Sequence, residues 1–244
     1  MGGIIVTIPL QSLDTLLKPT VLLTRPREDA EKLAQRLSSQ LLVAQCIIAP
    51  VMTIVGLAPQ FDGSTYKGVI LTSRHSVACA AQFFPTLTAY CVGDATKLAA
   101  QAAGLNAVSA HGASEDLIEV LKRENISPLI HLHGAHTAGD VEIRLNDAGI
   151  QVRSFAVYDQ EEVNWSQGTH AQILAARHLI VPLYSPRSAA LVGARLAKSN
   201  ANITIIAISE ATAHAWTGAK PTLTILAEHP DGASMQKAIA SQLA

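Results

Sequence analysis

Six positions place a polar, hydroxylated or flexible pair at the end of an apolar run and directly ahead of a helix-like run. They are Thr24-Arg25, Thr72-Ser73, Gly93-Asp94, His133-Gly134, Tyr184-Ser185 and Ser209-Glu210. A helix start carries free backbone N–H groups and the positive end of the helix dipole, so it favours anions. With hydroxyls and a few cations added, such ends suit carboxylates or phosphates. Taken singly, Ser, Thr and Asp here are ordinary helix N-caps. Repetition is what lifts them above capping. Thr96 and Thr212, just inside two of the helix-like runs, repeat in the same way. Arg25 is a cation at a strand end beside a helix start, where a ligand contact is a better reading than a bare surface charge.

The stretch "IHLHGAHTAGD" at 130–140 brings His131, His133 and His136 within six positions. In a strand, residues two apart share a side, so His131 and His133 can converge. Zinc needs a third and fourth ligand, and no Cys or paired motif completes such a set. A metal site is therefore not expected. His133, with Gly134, keeps a task as a strand end that can offer a hydrogen bond to an anion. Tyr158, in "FAVYDQ", carries a phenol that can donate a proton, although on residue type alone it reads as a half-buried aromatic on a strand. No G-x-G-x-x-G follows a strand, and neither a G-x-x-x-x-G-K-[ST] loop nor a G-x-S-x-G elbow is present. Nucleotide binding and serine hydrolysis are poor fits.

The elements that must position these residues alternate along the chain. "VLLT" precedes "RPREDAEKLAQRLSSQ", whose Ala30, Leu33, Ala34 and Leu37 have helical spacing, with Pro26 suited to the first turn. "GVILTS", "AYCVG", "LIVPLYS" and "ITIIAIS" precede "RHSVACAAQFF", "DATKLAAQAAG", "PRSAALVGARLAK" and "EATAHAWTGA". Strand-then-helix repetition implies an α/β protein with parallel sheets. The chain has 244 residues, 49% of them hydrophobic, enough for one sizeable core or two modest ones. The formal charge is −1 and no basic stretch is visible, which argues against a nucleic-acid partner. Cys46, Cys79 and Cys91 are odd in number and form no C-x-x-C, pointing to a reducing cytoplasm. Residues 1–18 read as an N-terminal extension whose apolar patch, Ile4 to Leu10, is too short to span a bilayer. No membrane association is expected.

Self-comparison organises these pieces. "LTSRHSVACAAQF" at 71–83 matches "LYSPRSAALVGAR" at 183–195, pairing Ser73 with Ser185 at a shift of 112. "YCVGDATKLAAQAAG" resembles "IAISEATAHAWTGA", pairing Thr96 with Thr212, and "GAS" at 112–114 recurs at 232–234. "VLLTRPREDAEKLAQRL" lines up with "LIHLHGAHTAGDVEIRL" at a shift of 108, which sets Arg25 on His133 and Pro26 on Gly134. The order is A, B, A′, B′. Either A packs with B′ and B with A′, or the two halves stand in tandem. The nested form makes the chain cross twice, near 48–58 and 153–163, through stretches rich in β formers that suit a two-stranded hinge.

These blocks, in order, resemble the uroporphyrinogen-III synthase family: "LTRPREDAEKLAQRL", "VILTSRHSV", "CVGDATKLAAQAAG", "LHGAHTAGDVEIRLNDAGIQVRSFAVYD", "LYSPRSAALV" and "ISEATAHAW". The resemblance covers roughly residues 20–240. It implies two similar parallel-sheet, flavodoxin-like α/β domains joined by a two-stranded β ladder. Domain 1 would be 19–50 plus 160–244, and domain 2 the inserted 56–154. It implies a cytoplasmic monomer without metal or cofactor, acting on hydroxymethylbilane, with transient contact to the preceding pathway enzyme. The reaction implied is loss of water and ring closure with inversion of ring D, a lyase step of tetrapyrrole synthesis. Tyr158 falls on the family's usual proton-donor position, and Arg25, Ser73, Thr96, His133, Gly134, Ser185 and Thr212 fall on substrate-lining blocks. The chain departs from the family in having His133 where Arg is frequent and Ser209 where Gly is frequent. The competing reading is a non-catalytic two-domain module that binds a polyanion or senses one.

Overall fold

The computed structural model describes residues 19–39, 45–112, 114–136 and 140–243. The expected extension, 1–18, lies outside them. The described residues divide into two compact units. One holds the residues up to Thr53 together with those from Glu162 onward, and the other is Ile54–Glu161.

The first unit is built on β1 (Thr20–Leu23), β2 (Gln45–Ile48), β9 (His178–Leu183), β10 (Asn202–Ala207) and β11 (Leu223–Leu226). Their order in the sheet is β11-β10-β9-β1-β2, with every pairing parallel. Its helices are α1 (Arg27–Ser39), α6 (Gln167–Ala175), α7 (Pro186–Leu196), α8 (Glu210–His214) and α9 (Gly232–Ala240). β1 is buried throughout, as expected of a parallel strand covered on both faces. Leu22, Leu179, Val181, Ile203 and Ile205 point to one face, and Val21, Leu23, Ile180 and Ile206 to the other. α1 covers the second face with Ala30, Leu33 and Leu37. Glu28 and Asp29 lie in its first turn and Arg36 in its last, in line with the helix dipole. The Pro26 carbonyl accepts from the N–H groups of Asp29 and Ala30, so Pro26 stands just outside the helix it opens.

The second sheet consists of β3 (Met52–Gly56), β4 (Gly68–Leu71), β5 (Thr88–Cys91), β6 (Ala107–Ser109), β7 (Leu129–Gly134) and β8 (Val152–Glu162) in the order β3-β8-β7-β4-β5-β6, and lies in the second unit apart from the first two residues of β3 and the last of β8. Its helices are α2 (Val77–Phe83), opened by a 3-10 turn at Arg74–Ser76, then α3 (Asp94–Ala102), α4 (Ser114–Glu124) and α5 (Val141–Asp147). β7 is parallel to both β4 and β8, and β5 is parallel to β4 and β6. Val69, Leu71, Ile130 and Leu132 fill one face; Ile70, Tyr90 and Leu129 fill the other.

The two sheets share one topology. Numbering β1 and β2 as first and second, followed by β9, β10 and β11, makes the first sheet 2-1-3-4-5, the flavodoxin-like order. Numbering β7 and β8 as first and second, followed by β4, β5 and β6, makes the second sheet the same, with β3 added beside β8. The pairing of A with A′ and of B with B′ in the sequence is thus a pairing of equivalent strands. The crossing stretches are β3 and the end of β8, and these strands are neighbours in the sheet.

One local expectation changes. The helix-like run 210–219 is helical only to His214. Trp216 is drawn onto the core and its indole N–H donates to the Ala219 carbonyl at 3.0 Å, which folds the chain into a turn. That turn presses on Gly193 of α7, where an added Cβ would lie 2.7 Å from the Thr217 nitrogen. His136 lies in the bend after β7, ahead of α5.

Candidate functional site

In a 2-1-3-4-5 sheet, ligands bind outside the carboxyl ends of the strands where the order reverses. In the first unit that point lies between β1 and β9, and the residues leaving those strands are Thr24-Arg25 and Tyr184-Ser185. In the second it lies between β7 and β4, and the residues are His133-Gly134 and Thr72-Ser73. Each unit therefore gathers its own share of the expected residues.

In the first unit the Arg25 guanidinium donates to Asp29 Oδ2 at 2.9 Å, and its Cζ stands 4.2 Å from the centre of the Tyr184 ring. The Asp29 side chain is 4% exposed and that of Arg25 is 31% exposed, so a buried acid holds a half-open cation. Both contacts fix the guanidinium plane, and the open part can meet an anion in bidentate fashion. Burial pushes the Tyr184 phenol up, against the opposing pull of Arg25, and keeps it protonated. Ser185 caps α7: its Oγ accepts from the Ser188 N–H at 3.2 Å and donates to Ser188 Oγ at 3.0 Å. Ser209 caps α8 in the same manner, 3.3 Å from the Thr212 nitrogen and 3.0 Å from Thr212 Oγ1. Thr212 is 0% exposed, so its hydroxyl is spent on the cap.

In the second unit Ser73 Oγ accepts from the His75 N–H at 3.3 Å, closing the 3-10 turn. Thr96, in α3, is buried like Thr212, and its N–H donates to the Gly93 carbonyl at 3.1 Å. His133 uses Nδ1 on the Gly134 carbonyl at 2.7 Å, and its ring centre lies 4.9 Å from that of His131. The β7–β8 register slips between His133 and Gly134: His133 faces Ala156 and Gly134 faces Tyr158. The slip brings the Tyr158 ring against Gly134, where an added Cβ would lie 2.6 Å from Cζ. Tyr158 is 7% exposed, and the His75 ring lies 5.5 Å away on a tilted plane. The phenol is thus held by packing beside the end of β7.

His131 is a strand residue of β7. It is buried, with Nδ1 3.3 Å from Ser154 Oγ and Nε2 3.2 Å from Thr72 Oγ1. Burial lowers its pKa from 6.5 to about 3, helped by the neighbouring His133, so the ring is neutral. His136 lies 3.5 Å from Asp159 through Nε2. Among the described residues no group of three or more His, Cys, Asp or Glu side chains is placed to hold a metal ion. Asp29 and Tyr184 were missed as holders of Arg25, although Arg25 and Asp29 have the four-residue spacing of a helical ion pair.

Known proteins bear on this arrangement. A family model described as uroporphyrinogen-III synthase HemD matches residues 29–237. No curated protein gives a match. Among solved structures, the chain is similar to the uroporphyrinogen-III synthetase of Helicobacter pylori, with 15% identity over 92% of this chain and 99% of that one, and a TM-score of 0.63. It is also similar to a mutant uroporphyrinogen III synthase from the extremely thermophilic bacterium Thermus thermophilus, with 15% identity over 92% of this chain and 98% of that one, and a TM-score of 0.50. At that identity the structures speak for the fold.

Proposed function

This chain belongs to the uroporphyrinogen-III synthase family, and we propose that it closes hydroxymethylbilane to uroporphyrinogen III with inversion of the terminal ring. The family consists of heme-biosynthesis enzymes acting on a small tetrapyrrole. The observation that carries the reading is the family match over residues 29–237. It is supported by two sheets of one topology, each presenting hydroxyls, helix starts and a cation or imidazole at its reversal point.

In this reading the reaction is that of a lyase. The hydroxyl of the substrate hydroxymethyl group leaves as water, and the methylene that stays on the ring becomes an electrophilic azafulvene. Direct attack by the free α-carbon of the last ring gives isomer I. Attack by the substituted α-carbon gives a spiro-pyrrolenine that fragments and recloses as isomer III. The protein's task is to hold the bilane so that the second attack is the near one. Tyr158 is the proposed proton donor to the departing hydroxyl. Arg25, Ser73, His133 and Ser185 are the proposed carboxylate contacts. Gly134 admits the Tyr158 ring. Thr96 and Thr212 are proposed to serve the same ends by fixing the helix starts whose N–H groups receive carboxylates.

We place the enzyme in the cytoplasm as a monomer. The three free cysteines suit a reducing compartment, and among the described residues no helix is long and apolar enough to cross a membrane. The bilane closes unaided to isomer I, so brief contact with the preceding enzyme would shorten its exposure. The test is incubation with freshly made hydroxymethylbilane and separation of the isomers. A shift to isomer III is expected. Isomer I alone, at the uncatalysed rate, rejects the reading and leaves a binding protein.

A further inference from the structure

Thr72, His131 and Ser154 form a row across three adjacent strands of the second unit. His131 and Ser154 are register partners on β7 and β8, and Thr72 follows directly on Leu71, whose register partner is Leu132. One imidazole links the two hydroxyls, at 3.3 Å from Ser154 Oγ to Nδ1 and 3.2 Å from Nε2 to Thr72 Oγ1. We infer that His131 is a positioning residue whose tautomer sets the Thr72 hydroxyl to donate to a substrate carboxylate.

A neutral imidazole has one N–H donor and one acceptor nitrogen. His131 is neutral over the working pH range because burial disfavours its charged form. If Nδ1 carries the proton, it donates to Ser154, and Nε2 takes the Thr72 proton. Thr72 then shows only lone pairs to the strand end, which repel a carboxylate. If Nε2 carries the proton, it donates to Thr72 Oγ1, and Ser154 donates to Nδ1. The Thr72 O–H is then free to point outward from the half-buried end of β4. A carboxylate at that end therefore selects the Nε2–H form. A hydroxyl aimed beforehand binds better than one that must first turn away from an internal acceptor. This inference rests on the proposed reading of the site.

The experiment is 15N spectroscopy of the histidine-labelled full chain titrated with uroporphyrinogen III, together with kinetics of variants on hydroxymethylbilane. In the complex, His131 Nε2 should carry the proton and Nδ1 should be bare. H131F should raise KM about ten-fold, with a much smaller change in kcat, and should add little in a T72V background. S154A, which removes one hydroxyl from a half-buried strand position, should raise KM in the same direction and guards against misfolding of H131F. An Nδ1–H form in the complex, or effects of H131F and T72V that simply multiply, overturns the relay and leaves the activity reading intact. A wild-type chain that yields only isomer I overturns both.

Discussion

Gly134 and Tyr158 approach each other so closely that a methyl group on the glycine would lie 2.6 Å from Cζ and 2.9 Å from the hydroxyl oxygen of the tyrosine. Gly134→Ala must push the ring aside or reopen the slipped register beside it. Overpacking of this kind costs about 1–3 kcal/mol. The expected result is a melting temperature lowered by several degrees and a loss of isomer III formation larger than the loss of fold. An unchanged melting curve would show that the ring has room to yield.

Tyr158→Phe separates the hydroxyl from the packing. The ring that touches Gly134 and lies beside His75 is kept. Turnover should slow by about 100-fold or more, the scale of a single general acid, while thermal stability changes little. Wild-type turnover in this variant would leave Tyr158 with a packing role only.

Asp29 holds Arg25, so its removal should be felt at the cation. Asp29→Ala leaves the guanidinium against the Tyr184 ring without its carboxylate partner and should lower stability by about 1–3 kcal/mol. KM should rise with kcat less affected. Arg25→Lys should also raise KM, because an ammonium cannot keep the paired geometry. Denaturant melts and steady-state kinetics on the same preparations check both statements. Equal KM in Arg25→Lys and wild type would remove Arg25 from the contacts.

The buried imidazole of His131 makes stability depend on pH in a stated direction. Its folded-state pKa is lowered from 6.5 to about 3. Between those values the unfolded chain binds the proton and the folded chain does not. The stabilisation is full above pH 6.5 and is lost as pH falls towards about 3, at a slope of about 1.4 kcal/mol per pH unit. Urea melts at pH 7.5 and pH 4.5 should show it, and H131F should flatten this part of the slope. An equal slope in the variant would assign the acid sensitivity to other groups.

The strand ends were legible because they close short continuous apolar runs such as "GVIL" and "LIVPL", each followed by a helix-like run, as buried parallel strands require. Ser73 and Ser185 each stand two residues beyond their strand, at the spacing of the repeat. Tyr158's setting was not legible, because the register slip that turns it against Gly134 depends on β7 and β8 together. Nor were the partners of His131, which lie 59 and 23 residues away and meet only through the sheet order. Thr212 reads as an available hydroxyl in the sequence, yet Ser209 takes it as soon as α8 forms. The short α8 shows the same limit: propensity continues the helix, and burial of Trp216 ends it.

The permuted strand order also sets a timetable for synthesis. β1 and β2 leave the ribosome first, but β1 waits for β9, its other neighbour in the sheet. All of Ile54–Glu161 emerges in between. The inserted unit can close its sheet while Leu33 and Leu37 of α1 still lack the Met235 and Ile239 side chains that share their core. Such long-range closure is slow and leaves apolar surface open to aggregation. The half that begins the chain is thus the last to be finished, and the nascent protein is most vulnerable there.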